Sequence, residues 1–496
     1  MNDLEKAQSC IDRVTQREPY LTGAGVIVAV LDSGIDYFLP EFLDADGQTR
    51  IIAIWDQSGQ PDEARGKLPP AGYREGVLYT REMINEALAL GREEGQKRVP
   101  VFDFSGHGTA VTGVAAGTGM GVAPDAELLI IKLGNPPKDT FPRTTQLMRG
   151  VNYAVNVGIE RNQPVAVNIS FGNTYGDHQG NSLLERFIDN ASEAGRSTIV
   201  IGSGNEGVSR GHTAGVARTD TVVELAVDTY ETGLTVQLWK YYQDVFNLVI
   251  TSPGGEQMTI ALSQIRDAQA VRRTLEQTQL LCYLGKPQPY NVQQEIFIDM
   301  IPTATYLNGG VWRITLQPIE IVTGEYRFYL TGYAARNAGT GFFLPTPEMT
   351  ITIPSTSRRA VTVGAYDIAR RSYADFSGRG YVYRYHDGRT DTAGDGEIVA
   401  EVKPDIAAPG VNITVPVPNG GYEQVSGTSF ATPFVTGAAA LLMEWGIVRG
   451  NDRFLYGERL KAYLTRGAAR TAGGLNEWPN AQLGWGTLCV GDSLPE

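Results

Sequence analysis

The feature that most constrains the fold of this chain is a regular alternation of strand-like and helical segments, which stops in mid-sequence and later resumes. Four apolar, β-branched-rich runs end in glycine or small polar residues: VIVAVLDSG, ELLIIKLG, VAVNISFG and STIVIGSGN. Such runs are typical of parallel strands buried on both faces, and segments with helical spacing separate them. The pattern predicts an α/β fold with a doubly wound, mostly parallel sheet flanked by helices. Its ligands should lie beyond the carboxyl ends of the strands.

A different pattern fills residues 214–349. Short alternating strands such as LTVQLWK and EYRFYLTG are separated by glycine-rich turns such as Pro253-Gly254-Gly255, which is typical of antiparallel sheets. We predict an inserted antiparallel β-sandwich or jelly-roll domain here. The α/β domain then consists of 21–213 and 350–496, and residues 1–20 are predicted to form a short amphipathic helix or pro-region.

Composition narrows the possible partners and locations. The net charge of −13 argues against nucleic acid as a partner, because binding phosphates needs concentrated Lys and Arg. No run approaches the ~20 apolar residues that cross a bilayer, and the charged N-terminus lacks the apolar core of a Sec signal, so a cytoplasmic location is expected. The three cysteines, Cys10, Cys282 and Cys489, are odd in number; we expect neither a disulfide framework nor a Cys-based zinc site, and therefore a reducing compartment.

Three short motifs carry the residue types of nucleophilic catalysis. VAVLDSGID places Asp32 at the end of a buried strand, FSGHGTAVTG places His107 at a helix start, and GTSFATPFVTG places Ser429 in the first turn of another helix. A serine nucleophile needs a base within hydrogen-bond reach and an acid that orients that base. Taken singly, the three residues would more often be a turn residue, a structural histidine and a helix cap.

Together the motifs D-S-G, H-G-T and G-T-S-x-A-x-P resemble those of the subtilisin family of serine endopeptidases, over 21–213 and 358–489. The resemblance implies a triad in which Ser429 attacks a peptide carbonyl, His107 carries the proton and Asp32 holds the imidazole. It also implies that the side chain of Asn205, in GSGNEG, joins the backbone N–H of Ser429 in an oxyanion hole. The alternative for Asn205 is that it only stabilises a glycine-rich turn.

The same resemblance assigns further residues to the binding of a protein or peptide substrate. Two extended segments would flank a bound peptide, and a third would form one wall of the pocket before the scissile bond; they are Leu133 and Gly134, then Ser170, Phe171 and Gly172, and finally Gly202, Ser203 and Gly204. The chemistry requires no cofactor. The family often binds structural calcium, but LDADGQTR offers only Asp44 and Asp46 of a calcium loop.

The insertion, with the preceding GSGNEGVSRGHTAGV, resembles the clostridial Csp germination proteases. That resemblance implies a spore-associated enzyme that activates a cortex-lytic hydrolase by cleaving its pro-form, braced by a jelly roll. Two alternatives stay open: a general intracellular subtilisin, or a catalytically silent binding protein, against which the intact motifs argue. Only about twenty residues precede the strand that carries Asp32, so the prodomain usual in subtilisins is expected to be very short or missing.

Other residues are expected to have no catalytic role. His178, His212 and His386 lie in polar sequence and are predicted to be solvated loop residues. Asn168 heads a glycosylation sequon, but the strand that contains it is predicted to be buried.

Overall fold

The computed structural model describes residues 3–134, 143–261, 270–286, 288–386, 397–470 and 477–495, without the side chains of 385–386 and 397–400. The chain divides into two compact units. The first comprises 1–172, 183–204 and 354–496, and the second comprises 173–182 and 205–353.

The first unit contains the predicted alternation of strands and helices. Its strands are β1 (Ile27–Asp32), β2 (Ile51–Asp56), β3 (Val77–Thr80), β4 (Glu127–Lys132), β5 (Val165–Ile169), β6 (Ser197–Gly202), β18 (Val361–Asp367), β19 (Ser372–Tyr373), β20 (Tyr381–His386), β21 (Glu397–Lys403), β22 (Ile406–Pro409), β23 (Ile413–Pro416) and β24 (Tyr422–Val425). Its helices are α1 (Asp3–Gln8), α2 (Asp12–Thr15), α3 (Arg81–Ala89), α4 (Arg92–Arg98), α5 (His107–Ala116), α6 (Thr144–Arg161), α7 (Leu183–Ala191), α8 (Thr428–Met443), α9 (Gly457–Arg466) and α10 (Val490–Ser493).

The main sheet of this unit has the order β19-β18-β6-β5-β1-β4-β2-β3 among the described strands, with β22 also paired to β18. Its strands pair in parallel except at the two edges, where β3 and β19 run antiparallel to their neighbours. Every residue of β1, β5 and β6 is buried, as expected when helices cover both faces of a parallel sheet. The predicted fold class is confirmed.

Helix α8 is the central core helix of the first unit. Nearly all of its residues are buried, and a π-helical turn, Glu444–Val448, continues it. Helix and turn together are long and apolar enough to cross a membrane, but 89% of that window is buried inside the protein. Burial in the protein core therefore explains the apolar composition of α8 and the turn that continues it.

The second unit is built from two antiparallel sheets. Its strands are β7 (His212–Val216), β8 (Thr221–Val227), β9 (Leu234–Tyr241), β10 (Val245–Thr251), β11 (Gln257–Ala261), β12 (Ala270–Leu275), β13 (Thr278–Leu284), β14 (Gln293–Pro302), β15 (Gly310–Glu320), β16 (Glu325–Leu330) and β17 (Gly341–Phe342). The described strands form the sheets β11-β10-β15-β8-β17 and β12-β13-β14-β9-β16-β7. Both sheets bury alternate residues in one core, which contains Leu248 and Trp312 from one and Leu238 and Phe328 from the other. This is the arrangement of a sandwich.

The second unit is larger than the insertion predicted at 214–349. Strand β7 begins at His212 and pairs with β16, so the boundary precedes 214. Asn173 and Ile353 form a β-bridge, which brings 173–182 and the residues up to 353 into the same unit. Such long-range pairings cannot be read from local alternation.

The expectation that no disulfide forms was wrong. Cys10 and Cys489 are bonded, and Cys282 is a buried free thiol. The backbone N–H of Val490 also donates to the carbonyl of Ser9, so the bond joins two segments that already lie side by side in the first unit. Because disulfides are typical of oxidising environments, the cysteine content no longer supports the expected reducing compartment.

Candidate active site

Asp32 is the last residue of β1 and is fully buried. Its Oδ1 accepts hydrogen bonds from the backbone N–H of Ser33 at 2.7 Å and from the Ser33 hydroxyl at 3.1 Å. The same oxygen lies 2.8 Å from Nδ1 of His107. A buried carboxylate in this position holds the imidazole in one orientation and favours the tautomer with the proton on Nδ1.

His107 is the first residue of α5, and the helix approaches β1 closely at this point. A Cβ on Gly108 would lie 2.3 Å from the carbonyl oxygen of Gly34 and 3.1 Å from Cβ of Asp32. Only glycine permits this approach. The glycine after the histidine therefore sets the distance between the imidazole and the carboxylate.

Ser429 is the second residue of α8, where backbone N–H groups are left without helical partners and the helix dipole is positive. Its hydroxyl donates to the carbonyl of Ser170 at 3.3 Å, and the Ser170 hydroxyl donates to the carbonyl of Ser429 at 3.0 Å. The His107 ring lies 5.6 Å, between centroids, from the ring of Phe430, the residue after Ser429. The structure thus gathers the three predicted catalytic residues in one region of the first unit.

The pKa of His107 is raised. Burial acts to lower it, but the charge of Asp32, the hydrogen bond from His107 to Asp32 and the more distant charge of Asp103 together outweigh burial. The arrangement favours the imidazolium, the form that a general base reaches when it takes a proton from a nucleophile.

Sequence reasoning missed a buried network behind the Asp32–His107 pair. The Asp103 carboxylate accepts from the Ser33 hydroxyl at 2.8 Å, from the backbone N–H of Gly106 at 3.0 Å, and from the N–H and hydroxyl of Thr109 at 2.8 and 2.7 Å. The Ser33 hydroxyl also accepts from the backbone N–H of Gly108 at 3.0 Å. The acidic residue four positions before the histidine was the one available signal.

The predicted substrate-binding residues lie at or directly after the carboxyl ends of β4, β5 and β6. Strands β4 and β5 are neighbours of β1 in the sheet, and β6 is a neighbour of β5. After β4, the described part of the chain continues to Gly134 and resumes at residue 143. Phe171 lies 5.7 Å from the His107 ring, between centroids. A Cβ on Gly202 would lie 2.7 Å from Oγ1 of Thr432 in α8, and Ser203 is buried, so Ser203 contributes little accessible surface.

Asn205 is the first residue of a segment of the second unit and directly follows Gly204 of the first. Its predicted role in an oxyanion hole stays a prediction. The buried strand predicted for Asn168 is confirmed, because Asn168 is fully buried in β5 and accepts a hydrogen bond from Thr436 of α8 at 2.9 Å.

Asp44, which belongs to the incomplete calcium-loop pattern in the sequence, is hydrogen-bonded within its own turn. Oδ1 of Asp44 accepts the backbone N–H groups of Asp46 and Gln48, so this carboxylate closes its own turn. Within the described part of the chain, one group of His, Cys, Asp and Glu side chains comes within metal-binding distance, but two of its members are the bonded Cys10 and Cys489.

Two of the three remaining histidines are not solvated, which corrects the prediction. His178 and His212 are buried, and their rings stack on Tyr329 at centroid distances of 3.8 and 4.5 Å. Burial lowers the pKa of His178 to about 4 and that of His212 to about 3. The polar sequence around each residue concealed this packing, and the side chain of His386 lies outside the described residues.

Comparison with known proteins defines the class. The model of the subtilase family, Peptidase S8, matches residues 23–274 and 337–486. This is well over half of the chain, so the chain belongs to the subtilase family, a family of serine peptidases.

A solved structure gives a more particular likeness. The chain is similar to the CspB protease of Clostridium perfringens, with 33% identity, a TM-score of 0.85, and coverage of 99% of this chain and 96% of that one. It is also similar to the PI-type proteinase of Lactococcus lactis subsp. cremoris, 24% identical over 88% of this chain and 23% of that protein. The C5a peptidase of Streptococcus pyogenes serotype M6 is 24% identical over 87% of this chain and 35% of that protein. The chain therefore spans only about a quarter to a third of these two relatives.

Proposed function

We propose that the chain hydrolyses peptide bonds through a triad of Asp32, His107 and Ser429. The observation that carries the proposal is the 2.8 Å contact between Oδ1 of Asp32 and Nδ1 of His107, in the region where α8 begins. A carboxylate, an imidazole and a serine at a helix N-terminus are the groups that acyl transfer requires.

In the proposed reaction, the hydroxyl oxygen of Ser429 bonds to the carbonyl carbon while Nε2 of His107 takes the hydroxyl proton. Asp32 stays ionised and stabilises the imidazolium. The backbone N–H of Ser429 and, from the family resemblance, the side-chain amide of Asn205 donate to the oxyanion. When the C–N bond breaks, His107 returns the proton to the leaving amine, and water clears the acyl-enzyme by the same steps in reverse.

We further propose that the enzyme acts by limited processing of a pro-enzyme, as in spore germination, in a spore-associated setting. The similarity to CspB over nearly the whole chain favours this role. General proteolysis is the second candidate, and the similarity to the PI-type proteinase of Lactococcus lactis subsp. cremoris favours it.

The test compares wild type with Ser429→Ala and Asp32→Asn on internally quenched peptides. We expect losses of about 10⁶-fold and about 10⁴-fold in kcat, the magnitudes found when the same triad members are replaced in other serine proteases. Thr259→Ala, at an exposed position of β11 in the second unit, is the matched control and should leave the rate unchanged. Activity that survives in Ser429→Ala would contradict the proposed nucleophile.

The number of cleavage sites separates the two roles. Products from a mixture of native proteins and from the same mixture after denaturation are identified by mass spectrometry. Limited processing predicts one or a few cleavages at defined sites, whereas general proteolysis predicts many cleavages in the denatured set.

A further inference from the structure

A cavity of about 550 Å³ lies in the first unit beside the start of α5. Ser105 and Gly106, the two residues immediately before His107, form part of its lining. The loop after β1, helix α4 and the turn after β23 also contribute residues, among them Asp36, Arg92 and Pro418. None of the predicted substrate-flanking residues belongs to the lining, so the cavity is a separate depression next to the catalytic histidine.

A partly buried ion pair joins the walls of this cavity. Both carboxylate oxygens of Asp36, whose side chain is 6% exposed, lie 2.9 Å from Nη1 of Arg92. Oδ2 of Asp36 also accepts from the backbone N–H of Asn419 at 2.8 Å, and the Arg92 guanidinium lies 4.9 Å from the ring centroid of Phe38. One carboxylate thus holds three chain segments together, which makes the cavity a pre-formed shape.

The cavity lining is mixed, with apolar and aromatic side chains beside the polar groups. Ile35 and Val101 in its lining are buried. Phe102 and Phe104 also line it, and their rings stack at a centroid distance of 5.6 Å although Phe104 is 83% exposed. Large aromatic side chains left exposed at the rim of a pocket are typical of a surface that binds a partner.

The charge of the lining is predominantly acidic. The carboxylates of Asp36 and Asp103 are buried and hydrogen-bonded. Glu423 is exposed, and its carboxylate has no hydrogen-bond or ion-pair partner within the part of the chain that the structure describes. Glu423 is therefore the carboxylate at this cavity that a cation could reach.

We propose that this cavity is a substrate subsite that binds a large apolar side chain neighbouring a Lys or Arg, on the leaving-group side of the scissile bond. The inference rests on the proposed function. His107 protonates the leaving amine, so the departing half of the substrate lies against this residue. Ser105 and Gly106, directly before His107, line the cavity, whereas Gly202-Ser203-Gly204, assigned to the pocket before the scissile bond, do not.

The experiment uses internally quenched peptides with one fixed acyl half and a varied leaving half. Successive leaving-side positions carry Leu-Lys, Ala-Lys, Leu-Glu or Ala-Glu. An aryl ester of the same acyl half has no leaving peptide, so every peptide kcat/KM is divided by the ester kcat/KM of the same variant. At the leaving-side positions that reach the cavity, the normalised kcat/KM should be about 10-fold or more higher for peptides with Leu than for those with Ala. It should be severalfold higher for peptides with Lys than for those with Glu.

Variants then assign the preferences to residues. Glu423→Gln should abolish the preference for Lys over Glu while the preference for Leu over Ala remains. Phe104→Ala should reduce the preference for Leu. Glu160→Gln, at an exposed position of α6 in the same unit, is the control and should change neither preference.

The outcomes separate this inference from the function on which it rests. Failure to hydrolyse the ester would overturn the proposed function. Ester hydrolysis with equal peptide rates at every leaving-side position would overturn the subsite alone. A Lys preference that survives unchanged in Glu423→Gln would overturn the assignment of that preference to this cavity.

Discussion

The Asp103 carboxylate holds the backbone on both sides of His107. It accepts the N–H of Gly106, one residue before the imidazole, at 3.0 Å, and the N–H of Thr109, two residues after it, at 2.8 Å. Its charge also contributes to the raised pKa of His107, after that of Asp32. Asp103 is thus a positioning residue that acts on catalysis through the imidazole.

Asp103→Asn should therefore lower the pKa of His107. Because the base works only when neutral, activity rises as pH increases through this pKa, and the acidic limb of the kcat/KM profile should shift to lower pH in the variant. The loss of hydrogen bonds to a charged acceptor should also cost about 1.5–3 kcal/mol of stability. A variant with reduced stability but an unshifted acidic limb would show a purely structural role for Asp103.

Asp405 is buried between two lysines of the first unit. Its Oδ2 lies 2.9 Å from Nζ of Lys403 and its Oδ1 lies 2.6 Å from Nζ of Lys461. Asp405→Asn should reduce the free energy of unfolding by about 3–5 kcal/mol, because Lys403 would then be buried without its counter-charge. The double variant Lys403→Met, Asp405→Asn should recover part of this loss in denaturant unfolding. Equal instability of the single and double variants would contradict the explanation.

The two histidines stacked on Tyr329 should make the second unit sensitive to acid. Their folded pKa values, about 4 for His178 and about 3 for His212, lie below the unfolded value of about 6.5, so the unfolded state binds more protons in between. The stability that the two neutral histidines contribute is fully present above about pH 6.5 and is lost as the pH falls towards 4. The loss at pH 5 should be about 2 kcal/mol for each residue.

The measurement is the change in thermal stability between pH 8 and pH 5. His212→Phe preserves a ring against Tyr329 but removes one titrating group, so the change should be smaller than in wild type. Comparing the change, and not the absolute stability, removes any packing cost of the substitution. An equal change in the two proteins would exclude His212 as a source of acid sensitivity.

The bond between Cys10 and Cys489 should be visible in a thiol titration. Denatured, unreduced protein should contain one reactive thiol, Cys282, and reduced protein should contain three. The pair Cys10→Ser, Cys489→Ser should be less stable by about 2–5 kcal/mol, because the bond closes a very long loop. Three thiols without reduction would contradict the bond.

The fold class and the grouping of the catalytic residues could be predicted because they depend on local signals. A buried parallel strand, a glycine beside a histidine and a helix starting at Thr428 are each contained in a few residues. The pairing of Asp32 with His107 was implied by the resemblance of their motifs to those of the subtilisin family, and the topology of a doubly wound sheet accounts for the position of Asp32 at a strand end.

What could not be predicted depends on contacts between distant segments. His212 has a polar sequence neighbourhood, yet its partner Tyr329 is more than a hundred residues away, so its burial has no local signature. The same holds for Cys10 and Cys489, separated by 479 positions. The walls of the cavity beside His107 come from several separate segments of the chain, and no sequence motif predicts that these segments meet.

The central claim, that Ser429 is an activated nucleophile, is tested most directly by treating wild type and Ser429→Ala with a fluorophosphonate probe and mapping the labelled residue by mass spectrometry. The account predicts one modified residue, Ser429, in wild type and none in the variant. Wild-type protein that is folded but unlabelled, or labelled at another residue, would contradict it.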